Sequence, residues 1–242
     1  MRVAIITQSF PPKKVTGAEK FSYELAKNLR KSRHDVLVLT NKSQFFNDIK
    51  CYKISFENSK IKRKLFRDYF NEKCLKEILK ETENFKPDII HINNFYGMGS
   101  KNIEELSKKY PIILTAHDYF PICYSATLFK ENAKNKEPCI CYFPLGRIHK
   151  KIMHRYLGSI NIVSPSKFLY MKLFENGYRR LKLIQNGINV PKRKTSYKKK
   201  ILFVGRLSKE KGLQTVTNSL NDLEDYKVSV LGEGPLKEEL AS

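Results

Sequence analysis

No apolar run in this 242-residue chain approaches the ~20 residues that a membrane-spanning helix requires. The opening stretch "MRVAIITQSFPP" has a short apolar core broken by Gln8, too short for a secretion signal. Acidic residues are scarce: 24 Asp and Glu stand against 46 Lys and Arg, a formal net charge of +22. That excess predicts attraction to something anionic, whether nucleic acid, an acidic membrane surface or a phosphorylated small molecule, and says nothing of fold. Cysteines number only five, an odd count, so reduced thiols are expected. Together these shortages predict a cytoplasmic protein, at most peripheral on the cytoplasmic membrane face. Also missing are a fixed short repeat, the Gly-Lys-Ser/Thr that closes a P-loop, and any Asp-x-Asp pair to hold a divalent metal.

What is present is a globular composition, 41% hydrophobic, arranged as short apolar strands alternating with helical stretches. "RVAIIT" (2–7) reads as a strand, followed by a helix from about Ala18 with Phe21, Leu25 and Leu29 at helical spacing. Further strands are expected at 35–40, 51–56, 88–92, 111–116, 161–165 and 182–188, with a long amphipathic helix over 61–85 carrying Ile61, Leu65 and Tyr69. The composition then shifts: "PKRKTSYKKK" (191–200) has no apolar periodicity and reads as a basic linker. A fresh unit starts with "KILFVG", continues through a helix over about 210–221 and strand "YKVSVLG", and opens another helix at "PLKEEL". Strands alternating with helices predict an α/β fold with a doubly wound parallel sheet. The expected division is a first domain at 1–190, a linker at 191–199, and an incomplete second Rossmann-like unit at 200–242.

In doubly wound folds ligands bind at the carboxyl ends of the strands. The polar residues there are Gly17 and Glu19 after the first strand, His117 and Asp118 after "PIILTA", Asn186 and Gly187 within the last strand of the first domain, Arg206 and Lys211 after "ILFVG", and Glu233 and Gly234 after "YKVSVLG". Lys209 and Lys211 stand where a helix begins, and the helix dipole disfavours cations there. A bound anion would reverse that cost, with helix N–H groups, Arg206 and Lys211 converging on one phosphate. A solvated basic loop fits the same spacing.

"PPKKVTGAE", "DIIHI", "TAHDYFPIC", "VSPSKFL", "LIQNGI", "FVGRLSKEKG" and "LGEGPLKEEL" stand in an order that resembles two-domain glycosyltransferases of the GT-B fold, in particular the retaining group called family 4. The resemblance runs the length of the chain. It implies a nucleotide-diphosphate sugar as donor, held in a cleft between domains, and a glycan or lipid-linked acceptor. Arg206 and Lys211 match the cations that bind the donor diphosphate, where one pre-placed donor is worth about 3–4 kcal/mol against the charge developing on the leaving group. No cofactor and no divalent metal are then required. His117 matches the histidine beside the sugar ring, and is the implied catalytic residue. Gly17, Glu19, Asn186, Gly187 and Gly205 fall in the loops that approach donor and acceptor, with Glu233 and Gly234 on the nucleoside side. Retention of configuration follows from the family, through same-face attack with the leaving phosphate taking the acceptor proton.

The sequence also departs from that pattern. The family's paired glutamates, seven residues apart, lie beyond Ser242, and the adjacent Glu238 and Glu239 cannot replace them. The 242 residues alone are therefore expected to show little transfer, unless a partner chain completes the second domain. A non-catalytic relative, or one subunit of a split glycosyltransferase, is the alternative. Arg33 stands where a glycine often precedes the "HD" of the second strand, and Asn189 where an aspartate often follows "NGI". Cys123, Cys139 and Cys141, with His149 beyond, form either a loop of reduced thiols or a weak zinc candidate. Lys60, Lys62, Arg63, Lys64 and Arg67 belong either to an ordinary surface helix or to a contact with an anionic membrane. No nucleic-acid binding is expected, because the basic residues are spread along the chain with no recognisable binding module.

Overall fold

The computed structural model describes residues 1–12, 17–42, 44–46, 48–56, 69–128, 144–188, 199–208, 211, 212, 215, 219 and 226–237. The chain divides into two compact units, one of Met1–Leu128 with Pro138–Gly187, the other holding Ile188–Ser242. The first is built on an eight-stranded sheet in the order β3-β4-β2-β1-β5-β6-β7-β8. Its strands are β1 (Arg2–Ile6), β2 (Asp35–Thr40), β3 (Gln44–Phe46), β4 (Ile49–Lys53), β5 (Ile89–Ile92), β6 (Ile112–Thr115), β7 (Asn161–Ser164) and β8 (Leu181–Leu183). Every pairing is parallel except the β3–β4 hairpin. Five helices are described in this unit: α1 (Gly17–Lys31), α2 (Glu72–Phe85), α3 (Ser100–Ser107), α4 (Pro144–Leu157) and α5 (Lys167–Glu175). Among the described residues no helix is long and apolar enough to cross a membrane.

The continuous apolar run of β1 is explained by its neighbours. Val3 and Ile5 pack with Ala26 of α1 and with Val38, whereas Ala4 and Ile6 join Ile90, Ile92, Ile78 and Ile103 in the larger core. Successive side chains of a strand point to opposite faces, so a strand covered on both faces must be apolar at every position. Each such Val or Ile side chain, once buried, contributes about 1.5–3 kcal/mol. Because β2 and β5 flank β1 on either side, the strand order reverses at its carboxyl end, where Asn93 N–H donates to Ile6 O at 2.9 Å. That reversal opens the crevice in which such folds bind ligands.

α1 carries Glu19 in its first turn and Arg30 and Lys31 in its last, as the helix dipole favours. Beyond it, Arg33 N–H donates to Arg30 O at 2.9 Å and His34 N–H to Leu29 O at 3.0 Å, the two bonds of a Schellman cap. Arg33 holds φ 62°, the left-handed region in which glycine alone has no steric cost. Arg33→Gly is therefore expected to stabilise the protein by about 0.5–1 kcal/mol, the relief of Cβ strain less the greater freedom of the unfolded chain. A urea midpoint that stays still or falls would overturn this.

Several sequence expectations need correction. The helix predicted over 61–85 starts at Glu72, with Asn71 as its cap: Asn71 Oδ1 accepts from Cys74 N–H at 3.0 Å. Tyr69 stands in the turn before it, and Ile61 and Leu65 lie outside the described residues. The strand predicted at 51–56 runs instead from Ile49 to Lys53 and is joined by the unpredicted β3, whose hairpin is sealed by tertiary packing such as Tyr23 against Phe46 at 5.4 Å. The strand predicted at 182–188 ends at Leu183, because an edge strand of three residues is all that β7 pairs. Asn186 and Gly187 consequently fall past the strand.

The second unit has β9 (Lys200–Val204) and β10 (Lys227–Leu231), paired in parallel with Ile201 opposite Val228. Leu207 and Leu236, with Phe203, form its small core. Most of the helix predicted over 210–221 and all but the first three residues of "PLKEEL" lie outside the described residues.

Candidate functional site

In the first unit the chemistry gathers at the carboxyl ends of the strands. β6 ends at Thr115, and His117 follows two residues later, its ring edge-on to Phe21 of α1 at 5.3 Å. Burial pushes the His117 imidazole down to about 4, against the opposing pull of the buried Glu19 carboxylate in the first turn of α1. The ring is therefore neutral near pH 7, and its buried Nε2 has no hydrogen-bond partner. Behind it, His91 of β5 meets Thr115 Oγ1 at 2.7 Å through Nε2. Burial, and then the neighbouring His117, hold His91 at about 4 as well.

Asp118 is a scaffold for this loop. Its Oδ2 accepts from Tyr96 O–H at 2.9 Å and its Oδ1 from Phe120 N–H at 2.9 Å. Burial pushes its carboxyl above the ordinary range, and the two hydrogen bonds oppose that. Gly17 opens α1 with free space where a Cβ would project. Asn93 was not singled out in the sequence. It follows β5 directly, is 1% exposed, and both atoms of its amide lack partners. A buried amide left so is costly unless something else fills its bonds. Its only sequence signal is a polar residue placed immediately after an apolar strand. Thr40, the last residue of β2, likewise buries an unpartnered Oγ1. The ends of β2, β5 and β6 thus each hold buried polar atoms without protein partners.

Asn186 and Gly187 are exposed, and among the described residues neither makes a hydrogen bond. Asn189 lies outside the described residues, as do Lys60, Lys62, Arg63, Lys64, Arg67, Lys209, Glu238 and Glu239.

In the second unit the segments after β9 and β10 are zipped together. Gly205 N–H donates to Leu231 O at 3.1 Å, Leu207 N–H to Glu233 O at 2.9 Å, and Leu236 N–H to Leu207 O at 3.1 Å. Arg206 and Lys211 emerge from this turn exposed, and among the described residues neither side chain has an acidic partner. Glu233 pairs instead with Lys237, at 3.0 Å. A Cβ on Gly232 would collide with Gly205 O, and one on Gly234 with the Leu207 backbone. The close approach that these glycines allow is thus between the chain's own two turns.

The cysteine expectation fails at Cys123, which is disulfide-bonded rather than reduced, so it offers no thiolate to a metal. Cys139 and Cys141 lie outside the described residues, whereas Cys51 and Cys74 are buried thiols. His149 is no metal ligand either, since Nδ1 meets Tyr69 O–H at 3.2 Å and Nε2 meets Phe120 O at 2.7 Å. Among the described residues no group of three or more His, Cys, Asp or Glu could hold a metal.

Comparison with known proteins identifies the family and the fold. The family model described as Glycosyltransferase Family 4 matches residues 15–192. An "uncharacterized 42.6 kDa protein in cps region" of Klebsiella pneumoniae is 28% identical over 240 residues, covering 88% of this chain and 63% of its own. Sucrose-phosphate synthase of Thermosynechococcus elongatus superposes with a TM-score of 0.66 at 14% identity, over 95% of this chain and 61% of that one. Anabaena HepE in complex with UDP-glucose superposes at 0.62 with 17% identity, over 99% of this chain and 62% of that one. The chain thus spans 61–63% of the length of these relatives.

Proposed function

The chain belongs to glycosyltransferase family 4 and has its GT-B-type α/β fold, and from that premise we propose that it serves transfer of a sugar from a nucleotide-diphosphate sugar to a glycan or lipid-linked acceptor, with retention. His117, neutral and with a buried ring nitrogen left open, is the observation that carries this reading. A neutral imidazole at a strand end can take a hydrogen bond from a sugar hydroxyl or give one to a ring substituent, holding the anomeric carbon in place. Asn93 supplies a buried amide with both its oxygen and its nitrogen to spare. Arg206 and Lys211 meet the diphosphate, whose charge grows as the anomeric C–O bond breaks. With two cations in that role the reaction calls for no divalent metal. The acceptor hydroxyl attacks on the face the phosphate leaves, and its proton passes to the departing phosphate oxygen. HepE is the comparison that ties a nucleotide sugar to this fold.

Titration calorimetry with UDP, ADP and GDP tests the donor role. Arg206→Ala and Lys211→Ala are each expected to weaken binding of the preferred diphosphate about tenfold, as loss of one charge-assisted hydrogen bond does. Unchanged affinity in both variants would remove the proposed diphosphate site. His117→Ala is expected to leave this affinity alone and to lower transfer.

A second reading is favoured by one observation in the second unit. Leu202, Val204 and Leu231 share a face of the two-stranded sheet and are each 64% exposed. Further polypeptide on a partner chain would cover them and make this unit one part of a split transferase. Light scattering of the purified chain with its co-expressed neighbours tests that reading; a strictly monomeric mass counts against it.

A further inference from the structure

α5 is apolar on two sides. Leu169 and Leu173 sit in the core, whereas Phe168, Met171 and Phe174, three residues apart, are 59%, 45% and 46% exposed. A helix that packs on a sheet needs one apolar stripe. The second stripe is about half exposed, and an exposed apolar patch of this kind marks an interaction surface.

The charge around it is predominantly positive, Glu175 being paired with Lys172 at 2.9 Å. From 144 to 183 the sequence has nine Lys and Arg and a single acid, Glu175. Arg147, Lys151 and Arg155 are exposed on α4, and Lys167, Arg179 and Arg180 on and after α5. The two helices are neighbours, since His154 Nε2 meets Gly177 O at 3.2 Å. Ile148 of α4, 51% exposed, adds a further apolar side chain among those cations. Lys172 lies 5.7 Å from the centre of the Phe168 ring and Arg179 4.5 Å from that of Phe174. Rings with cations over them suit the boundary between water and lipid, where the rings enter the apolar zone and the cations stay with the phosphates.

We propose that the α5 face docks this protein on an anionic lipid surface. The charge selects the occupant. A second copy of the chain would set like charge against like charge. A nucleic acid would satisfy the cations and leave the Met171 side uncovered. An acidic bilayer answers both parts of the patch at once. Phe168 also meets Tyr119 edge-on at 6.2 Å, and Tyr119 stands two residues after His117. A lipid-linked acceptor would thus arrive beside that histidine. This last step rests on the proposed transfer reaction, whereas the docking itself does not.

The chain has no tryptophan, so Phe168→Trp creates a single reporter at the patch. Vesicles of phosphatidylglycerol with phosphatidylcholine are expected to shift its emission to the blue and to carry the protein upward in flotation. Vesicles of phosphatidylcholine alone are expected to do neither, and high salt to release the protein. Phe168→Glu with Phe174→Glu is expected to weaken binding at least tenfold, with melting unchanged because both rings are exposed. No shift at low salt, equal binding to neutral vesicles, or undiminished binding of the double variant would each overturn the proposal. So would a dimer that this variant dissolves in the absence of vesicle binding. Transfer to a soluble acceptor, if found, is untouched by any of these failures.

Discussion

Acidification from about pH 7 to about pH 5 is expected to weaken the first unit by about 2 kcal/mol through His91 alone, with a contribution of the same sign from His117. Both imidazoles are held at about 4 in the folded protein, against an ordinary value of 6.5. The unfolded chain binds its protons near 6.5 and the folded chain only near 4. Between those values the unfolded state holds more protons, so stability is full above about 6.5 and is lost as the pH falls through that window. Urea unfolding followed by tyrosine fluorescence at several pH values measures this. His91→Gln cannot titrate and is expected to lose about 2 kcal/mol less over the same interval. The same pH slope in His91→Gln and in the parent would remove His91 as the cause. The window also bears on the proposed transfer, because the His117 ring stays neutral until the pH approaches about 4.

Replacing Asn71 with alanine is expected to cost about 3 kcal/mol, the largest effect foreseen for any single side chain here. Asn71 is 5% exposed and works in both directions. Its oxygen caps α2 at Cys74 N–H, and its Nδ2 donates to Ser55 O at 3.0 Å and to Gly97 O at 2.7 Å. Alanine removes a cap worth about 1 kcal/mol and leaves two carbonyls without this donor. The surroundings have no slack. Asn102 Nδ2 donates to Asn71 O at 2.7 Å, and a Cβ on Gly99, at φ 95°, would press to 2.9 Å from Asn71 N. Asn71→Asp separates the two roles, since it keeps the cap and loses both donated bonds. A melting point for Asn71→Asp equal to that of the parent would show that the donated bonds contribute nothing.

What was legible in the sequence follows from how local each signal is. β1, β2, β5, β6 and β7 are short, mostly apolar runs, the composition that a strand covered on both faces favours. α1 showed its periodicity for the same reason. β3 and β4 were misread because their pairing depends on α1 packing from a distance, with no turn signal in the segment itself. The start of α2 depends on the Asn71 side chain, whose other two partners lie 16 and 26 positions away. The site was legible where a residue ends a strand, as at His117. It was hidden at Asn93, which is distinguished only by what fails to bond it. At Gly234, placed by the family resemblance on the nucleoside side, the group that comes close is the Leu207 backbone.

The central place of β1 has a consequence for how this protein is made. β1 leaves the ribosome before either of the two strands, β2 and β5, that flank it in the finished sheet. On one side it waits for β5: Val3 pairs with Ile89, and Arg2 N–H bonds Asp88 at a separation of 86 positions. At ~5–20 residues per second, translation reaches β5 roughly 4–17 s after β1 has emerged. Throughout that interval the edge that β5 will cover is a row of unsatisfied N–H and C=O groups, open to pairing with any other nascent strand. Closing a pair so far apart in sequence also makes the step slow. Folding yield should therefore respond to the speed of translation between β1 and β5 more than anywhere later in the chain.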